Sequence, residues 1–431
     1  MVKLSQCMIV KNEEKNIKKA LGWAKPIAYE QIVVDTGSTD RTVELAGLMG
    51  AKVYHFKWVN DFSAAKNYAI EQATGSWIAF LDADEYLSSE DAEKLLKLLE
   101  KIEENPNEHA NTTVLRMPWI QLNDEGEPFA VYKQSRVFRN IKEIRYVNRI
   151  HEHLTGVGEI VFIEDISIMH TGYASSSFEE TSKLERNIEL LRTELIEKPH
   201  DMNIKAYLAD SLNNKARLEN PDGTGADPEA DVLFGEVVNC KEDVKTVLKI
   251  KAYVYFIVKY LSDPDKYTEC EELCVNALEE FPDDLDFKYF KASVQCKMGK
   301  HKEAWVMLKE VEAILSDINC NNEAVYVTAD PSLMYEQMLS AAQGLGDIKS
   351  IIEYATVVLM ADKHKQRVLS PYIYTLIEHG YDEESIIELL GKVYNLGDPN
   401  DLLIIARAAK ECGALDFARM VMIIAGEIIN G

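Results

Sequence analysis

The sequence predicts a mixed α/β domain over residues 1–175, followed by an all-α repeat domain over residues 176–431. Three observations predict it. Short β-rich runs and amphipathic stretches take turns up to about Tyr173. Strand signals nearly vanish from Ser175 onward. Apolar residues in that second part recur at helical spacing and carry a weak internal repeat.

Strands are expected at Leu4 to Val10, Gln31 to Asp35, Lys52 to Phe56 and Trp77 to Leu81. Helices are expected near Glu13 to Trp23, Thr39 to Met49 and Ser63 to Thr74. Elements alternating at this spacing form βαβ units, hence a parallel sheet with helices on both faces. Ser88 or Ser89 caps a further helix running to about Glu104, with acidic residues in its first turn. Three later runs, Thr113 to Ile120, Val131 to Phe138 and Ile160 to Met169, are expected as antiparallel additions beside the sheet.

The second part repeats a simple device. "YTECEELCVNALEEFPDD" places Cys270, Cys274 and Ala277 on one helical face, with Pro282 closing the unit. "MGKHKEAWVMLKEV" sets Gly299, His301, Ala304 and Leu308 at matching offsets, and Gly346 and Gly413 open similar segments. A turn glycine between paired helices, then a small residue where they approach, gives units that bury their apolar faces only by stacking. These motifs resemble tetratricopeptide repeats, irregular in period. A plain helical bundle is the alternative. LENPDGTGADPEAD (Leu218 to Asp231) reads as a solvated loop whose acidic residues lack calcium-loop spacing.

Composition excludes several classes. At 431 residues the chain suits two or three domains, and 47% hydrophobic content is normal for a folded protein. A net charge of −25 argues against nonspecific nucleic-acid or anionic-lipid binding. No stretch approaches the roughly 20 apolar residues of a membrane span. The N-terminal apolar run is too short for a signal peptide, so a cytoplasmic protein without a transmembrane segment is expected. The seven cysteines are scattered without a CxxC pair and are expected as free, mostly buried thiols.

The strongest chemical signal is FLDADEYL, in which a hydrophobic run ends in Asp82, Ala83, Asp84 and Glu85. Open α/β sheets bind ligands at the carboxyl ends of such strands. Two hard oxygen donors suit Mg²⁺ or Mn²⁺, which keep waters and bridge substrate phosphates. An acidic turn capping the next helix would give the same string. IVVDTGSTDRT adds a second strand end at Asp35, which can accept from a base N–H. Ser38, Thr39 and Asp40 supply turn and capping bonds. Val10, Lys11, Asn12 and Glu13 lie at the end of the first strand, so three strand ends point polar groups into one crevice.

"IVKNEE", "VVDTGSTDRT" and "FSAAKNYAIEQATGSWIAFLDADE" in this order resemble the family-two glycosyltransferases with a GT-A fold, densely over Leu4 to Glu85 and more loosely over Arg139 to Tyr173. The resemblance implies a GT-A, Rossmann-like nucleotide-binding fold. It implies that Asp35 contacts the base, that Asp84 holds the metal at the diphosphate, that Asp82 contacts ribose or metal-bound water, and that Lys66 lies near the nucleotide. Many members carry arginine where this chain has Lys66, and the first motif here reads Val10-Lys11-Asn12. "VNRIHEHL" (Val147 to Leu154) and "IMHTGY" (Ile168 to Tyr173), with a helical tail, are similar to bacterial peptide S- and O-glycosyltransferases that modify bacteriocins. They also resemble the lipopolysaccharide-core glucosyltransferase group.

The site expectations follow. Nucleotide-sugar contacts are Val10, Asn12, Glu13, Asp35, Lys66, Asp82 and Ala83. Metal ligands for Mn²⁺ or Mg²⁺ are Asp84, His170 and Asp82, since a neutral imidazole can complete a site begun by Asp84. An inverting displacement needs a base for the acceptor proton, and Glu152 is the first choice, His151 the second. An ion pair of Glu152 with Arg149 or Arg145 is the structural alternative. HEH lacks the i, i+4 histidines of a zinc helix and is not read as a zinc site. Trp58, Phe62, Trp119 and Tyr132 are candidate sugar or acceptor walls, with core packing the competing use. The expected reaction moves a sugar from a UDP-hexose or UDP-N-acetylhexosamine to a peptide or protein gripped partly by the repeats. Cell-surface glycan or lipopolysaccharide-core assembly is the alternative, and an inactive scaffold a further one. A homodimer through the repeats is compatible with their apolar ends.

Overall fold

The computed structural model describes residues 2–171, 177–220, 226–241, 244–316 and 325–430. Tyr173, Ser175, Cys320 and the centre of the Leu218 to Asp231 segment lie outside them. The chain forms two compact units, Met1–Val244 and Lys245–Gly431.

The first unit opens with β1 (Leu4–Val10), α1 (Ile17–Gly22), β2 (Glu30–Asp35), α2 (Thr42–Leu48), β3 (Lys52–His55), α3 (Phe62–Gln72) and β4 (Trp77–Phe80). It continues with β5 (Glu85–Leu87), α4 (Ser89–Glu104), β6 (Thr112–Leu122), β7 (Pro128–Arg139), β8 (Arg145–Val147), β9 (His153–Thr155), β10 (Glu159–Phe162) and β11 (Ile168–His170). β3, β2, β1 and β4 lie side by side and parallel. Apolar side chains alternate between their faces. Met8, Val10 and Val33 pack with Ile17, Leu21 and Leu45 of α1 and α2, while Cys7, Ile32, Val34 and Phe80 pack with Ala69 and Ile70 of α3. Helices therefore cover both faces, as alternation predicts. Ser88 caps α4 by accepting from Asp91 N.

Buried Glu30 ties the amino ends of these strands together. Its carboxylate accepts from Ser5 Oγ at 2.7 Å, Thr74 N at 2.6 Å, Thr74 Oγ1 at 2.8 Å and Lys52 Nζ at 2.7 Å. Burial alone raises its pKa, but the bonds from Lys52, Thr74 and Ser5 outweigh it and hold the group at about 2.

The later strands meet expectation in part. β6 and β7 are antiparallel, and β7 joins the sheet antiparallel to β4. The run expected from Ile160 to Met169 is two strands, β10 and β11, both parallel to β6 rather than antiparallel. Glu164 and Asp165 break it, because adjacent carboxylates favour solvent over a buried ladder. The unanticipated β5 pairs with β11, and β8 with β9 forms a separate two-stranded ladder. Three helices, α5 (Ser177–Glu197), α6 (Met202–Glu219) and α7 (Pro228–Asn239), complete this unit.

The second unit is helical: α8 (Thr246–Leu261), α9 (Tyr267–Glu280), α10 (Leu285–Lys297), α11 (His301–Leu315), α12 (Tyr326–Ala329), α13 (Pro331–Leu345) and α14 (Ile348–Ala361). α15 (Gln366–Glu378), α16 (Glu383–Leu390), α17 (Pro399–Glu411) and α18 (Leu415–Asn430) follow. Gly299, Gly346 and Gly413 link α10 to α11, α13 to α14 and α17 to α18 with φ of 77°, 68° and 82°. Only glycine adopts that region without a Cβ penalty, which is why the repeat carries it. Cys270, Cys274, Ala277, Ala304 and Leu308 are fully buried where the helices meet. The six described cysteines are free. No helix among the described residues is long and apolar enough to cross a membrane.

Candidate active site

Because β2 lies on one side of β1 and β4 on the other, the chain reverses its direction of winding at β1. Ligand crevices of open α/β sheets form at such a reversal, outside the carboxyl strand ends. A cleft of about 430 Å³ lies there. Val10, Lys11 and Glu13 at the end of β1, Thr36 just after β2, and Asp82 to Glu85 between β4 and the start of β5 line it. Lys66, Trp58, Phe62, Trp119, Arg136, Glu152, His170 and Arg186 complete its walls.

Two cations and three carboxylates form its floor. Lys66 Nζ, 1% exposed, lies 2.6 Å from Glu152 Oε1 and 3.5 Å from Asp82 Oδ1. Arg136 Nη2 lies 2.7 Å from Asp82 Oδ2 and 2.6 Å from the buried Glu85 Oε1. Glu85 Oε2 accepts from Asp82 N at 2.9 Å, closing the loop on itself. Desolvation would raise the Asp82 carboxyl, yet Arg136 and Lys66 hold it at about 2. Burial likewise opposes ionisation of Glu152, and Lys66 overrides it, so that its pKa falls below the ordinary value. Glu85 is pushed up, by burial first, then by Asp82, against Arg136.

His170 ends β11 and faces the acidic turn. Its Nε2 lies 3.3 Å from Asp84 Oδ2, and its Nδ1 lies 2.7 Å from Gln121 Oε1. Thr171 N and Oγ1 both donate to the main-chain oxygen of Asp84 at 3.1 Å, fastening the two segments. Adjacent ligands of an octahedral ion at about 2.1 Å are about 3.0 Å apart, so the Asp84–His170 pair fits Mn²⁺ or Mg²⁺ with little movement. No third His, Cys, Asp or Glu joins such a group among the described residues. Two protein donors leave room for phosphate oxygens and water. Asp82, expected as a third ligand, instead spends both carboxylate oxygens on Arg136 and Lys66.

The nucleotide contacts expected from sequence divide. Val10, Glu13, Lys66, Asp82 and Ala83 line the cleft. Glu13 is pushed up by burial and by Asp84, against a bond from Asn16. Asn12 is in the left-handed region at φ 60°, where its Oδ1 accepts from Thr39 N at 2.8 Å and its N donates to Ser38 Oγ at 2.9 Å. It braces two loops and is not among the lining residues. Asp35 accepts from Gly37 N at 3.2 Å and Ser38 N at 3.0 Å, and it pairs with His55 at 3.3 Å beside the cleft. Asp40, expected to cap, accepts from Thr42 N at 2.9 Å as a turn ahead of α2, whose N-cap position is Arg41.

Of the two base candidates, Glu152 enters the cleft and His151 does not. His151 has φ 52°, and its ring stacks on Tyr207 of α6 at 3.8 Å and 9°. His151 is not among the residues that line the cleft. The ion pair anticipated for Glu152 exists, but with Lys66. Arg149 pairs with Glu197 at 2.5 Å, and Arg145 donates to the carbonyls of Ile141 and Ile144. Trp58, Phe62 and Trp119 line the cleft, and Tyr132 stands 6.2 Å from Trp119 between ring centroids.

Sequence reasoning missed Arg136, Gln121 and Arg186 and gave Glu85 no role of its own. Arg136 precedes the core residues Val137 and Phe138 in β7, and only the long-range β4–β7 pairing brings it to Asp82. Glu85 was visible as part of the acidic turn. Arg186 comes from α5 and adds a cation to the cleft lining.

Residues 5–110 match Glycosyl transferase family 2. A TPR repeat-containing protein of Synechococcus elongatus is 36% identical over 223 residues, covering 49% of this chain and 52% of that protein. The SPbeta prophage-derived glycosyltransferase SunS of Bacillus subtilis is 33% identical over 188 residues, covering 42% of this chain and 43% of that protein. The chain thus spans about half the length of the curated relatives it matches. Among solved structures, S. aureus TarS 1–349 in complex with UDP-GlcNAc aligns at 16% identity over 69% of this chain and 91% of that one, with a TM-score of 0.35.

Proposed function

From the family 2 glycosyltransferase domain carried over residues 5–110, we propose that this protein transfers a sugar from a nucleotide donor, UDP-hexose or UDP-N-acetylhexosamine, to a peptide or protein acceptor with inversion. The observation that carries the reading is the meeting of Asp84 and His170 at the carboxyl edge of parallel strands, 3.3 Å apart, in a cleft that also holds Glu152.

Asp84 and His170 would hold Mn²⁺ or Mg²⁺, which when bound supplies Lewis-acid neutralisation of the departing diphosphate. Glu13, Val10, Ala83 and Asp82 flank the nucleotide sugar, with Asp35 beside the base. Lys66 fixes one oxygen of Glu152, leaving the other to take the acceptor's proton. The acceptor heteroatom bonds to the anomeric carbon as the bond from that carbon to the diphosphate oxygen breaks. The electron pair leaves with the nucleoside diphosphate, and no covalent sugar–enzyme intermediate is needed. Holding donor and acceptor in line supplies much of the rate.

A peptide or protein acceptor is supported by the resemblance of the VNRIHEHL and IMHTGY segments to peptide glycosyltransferases, and by the helical repeats, whose stacked form suits extended chains. Cytoplasmic placement belongs to the same proposal. The test incubates the full chain and Mn²⁺ with a panel of nucleotide sugars and scores nucleotide release, then adds peptides or glycans with the donor found. One donor consumed, and a peptide modified, is the expected result. Intact donors throughout, with no nucleotide binding by calorimetry, would return the chain to the scaffold reading.

A further inference from the structure

The β6–β11 ladder makes Gln121 and His170 register partners in parallel strands, so their side chains leave the sheet on one face. Gln121 is fully buried, and its Oε1 lies 2.7 Å from His170 Nδ1. A carbonyl oxygen at that distance is satisfied only if Nδ1 carries the hydrogen. Were Nδ1 bare, two lone pairs would oppose each other across a buried gap. A neutral imidazole has one N–H, so Nε2 then turns its lone pair toward Asp84 Oδ2 at 3.3 Å, two acceptors that a cation between them would reconcile. Trp119 lies against the ring with centroids 4.6 Å apart and limits its rotation.

We propose that Gln121 is a positioning residue for His170: its carbonyl oxygen holds the Nδ1–H tautomer and so presents Nε2, with Asp84, to the divalent ion. The proposal rests on the metal-dependent reading above and adds what that reading lacks, a reason for His170 to be a ligand rather than a donor to Asp84. The amide could serve the opposite tautomer by turning over. Its Nε2 would then donate to Nδ1, and the imidazole would point a hydrogen at Asp84. That orientation would exchange an Nε2 without a partner among the described residues for an Oε1 without one, so the ring proton itself has to be read to tell the two apart.

The first measurement needs neither metal nor substrate. Long-range ¹H–¹⁵N correlation spectra of the ¹⁵N-histidine-labelled full chain, in the metal-free state at alkaline pH, report which nitrogen of His170 is protonated. A His170→Asn sample assigns the signals. A larger Nδ1–H fraction is expected in wild type than in Gln121→Met, where Asp84 alone acts on the ring, and equal fractions overturn the proposal. The second measurement titrates Mn²⁺ by electron paramagnetic resonance into wild type, Gln121→Glu and Gln121→Met. Glutamate keeps an acceptor and should bind Mn²⁺ within a few-fold of wild type. Methionine fills the space without an acceptor and should weaken binding about 10–100-fold. Wild-type affinity in a folded Gln121→Met protein overturns the proposal. A wild type that binds no Mn²⁺ sinks the metal reading and the ligand half of this inference, while the spectra still decide the tautomer half.

Discussion

At the scale of single residues, the Lys66–Glu152 pair decides the character of the cleft. A carboxylate buried alone would be protonated near neutrality, whereas one bonded to a buried ammonium at 2.6 Å stays ionised and loses basicity. Glu152→Gln should retain donor affinity and lose transfer by about 10²–10⁴-fold, measured as turnover against nucleotide binding. Unchanged turnover would remove Glu152 from the base role. The sign of the pH effect follows from the pair. The proposed base role requires an ionised Glu152, so the acid limb of kcat/KM should fall below the ordinary glutamate pKa. In Lys66→Met burial acts unopposed, and that limb should move upward. A wild-type limb near neutrality would point to an imidazole instead. Asp82 and Asp84, indistinguishable in the DADE string, also part company here. Asp84→Asn should abolish most Mn²⁺ binding by calorimetry, while Asp82→Asn should chiefly loosen Arg136 and Lys66. Equal losses of metal from both would contradict this division.

Elements impose their own constraints. Glu30 secures three strands and the approach to a fourth through four hydrogen bonds. Its folded pKa of about 2 lies below its ordinary 4.5. Its contribution to stability is therefore complete above the ordinary value and is lost as pH falls toward 2. Glu30→Gln should lower the unfolding midpoint at neutral pH and flatten its decline across that acid window. An unaltered pH dependence would show that the bonds contribute nothing net. In the helical unit, a Cβ built on Gly344 of α13 would come 2.1 Å from the ring of His301 on α11. Gly344→Ala must displace the ring or part the helices, and parting them should cost about 1–3 kcal/mol, readable in urea denaturation. Neutral behaviour would mean that the ring simply swings aside. The elements were largely legible from sequence, because β1, β4 and the turn glycines obey local rules of alternation and left-handed φ. The run after Ile160 was not, because the direction in which a short strand pairs depends on what lies beside it.

Across the whole molecule, net charge bears on the proposed peptide acceptor. A chain carrying −25 attracts basic partners and repels acidic ones, and salt weakens both effects. If the acceptor is a peptide, Lys- or Arg-flanked sequences should be preferred. Their KM should rise several-fold between about 50 and 300 mM salt, a range over which the Debye length shortens from roughly 14 to 6 Å. A salt-independent KM would place recognition in apolar contacts. The sequence by itself determined the alternation that builds a parallel sheet, the acidic turn at the end of β4, the histidine at the end of β11 and the glycine-punctuated helices. Each is written within a few neighbouring residues, where covalent geometry and burial act locally. Only the tertiary structure decided that Lys66 neutralises Glu152, that Arg136 takes Asp82, that His151 leaves the cleft for Tyr207 and that Gln121 stands behind His170. Those pairings join residues tens of positions apart, and a buried charge or imidazole takes its chemistry from whichever partner packing sets within hydrogen-bond reach.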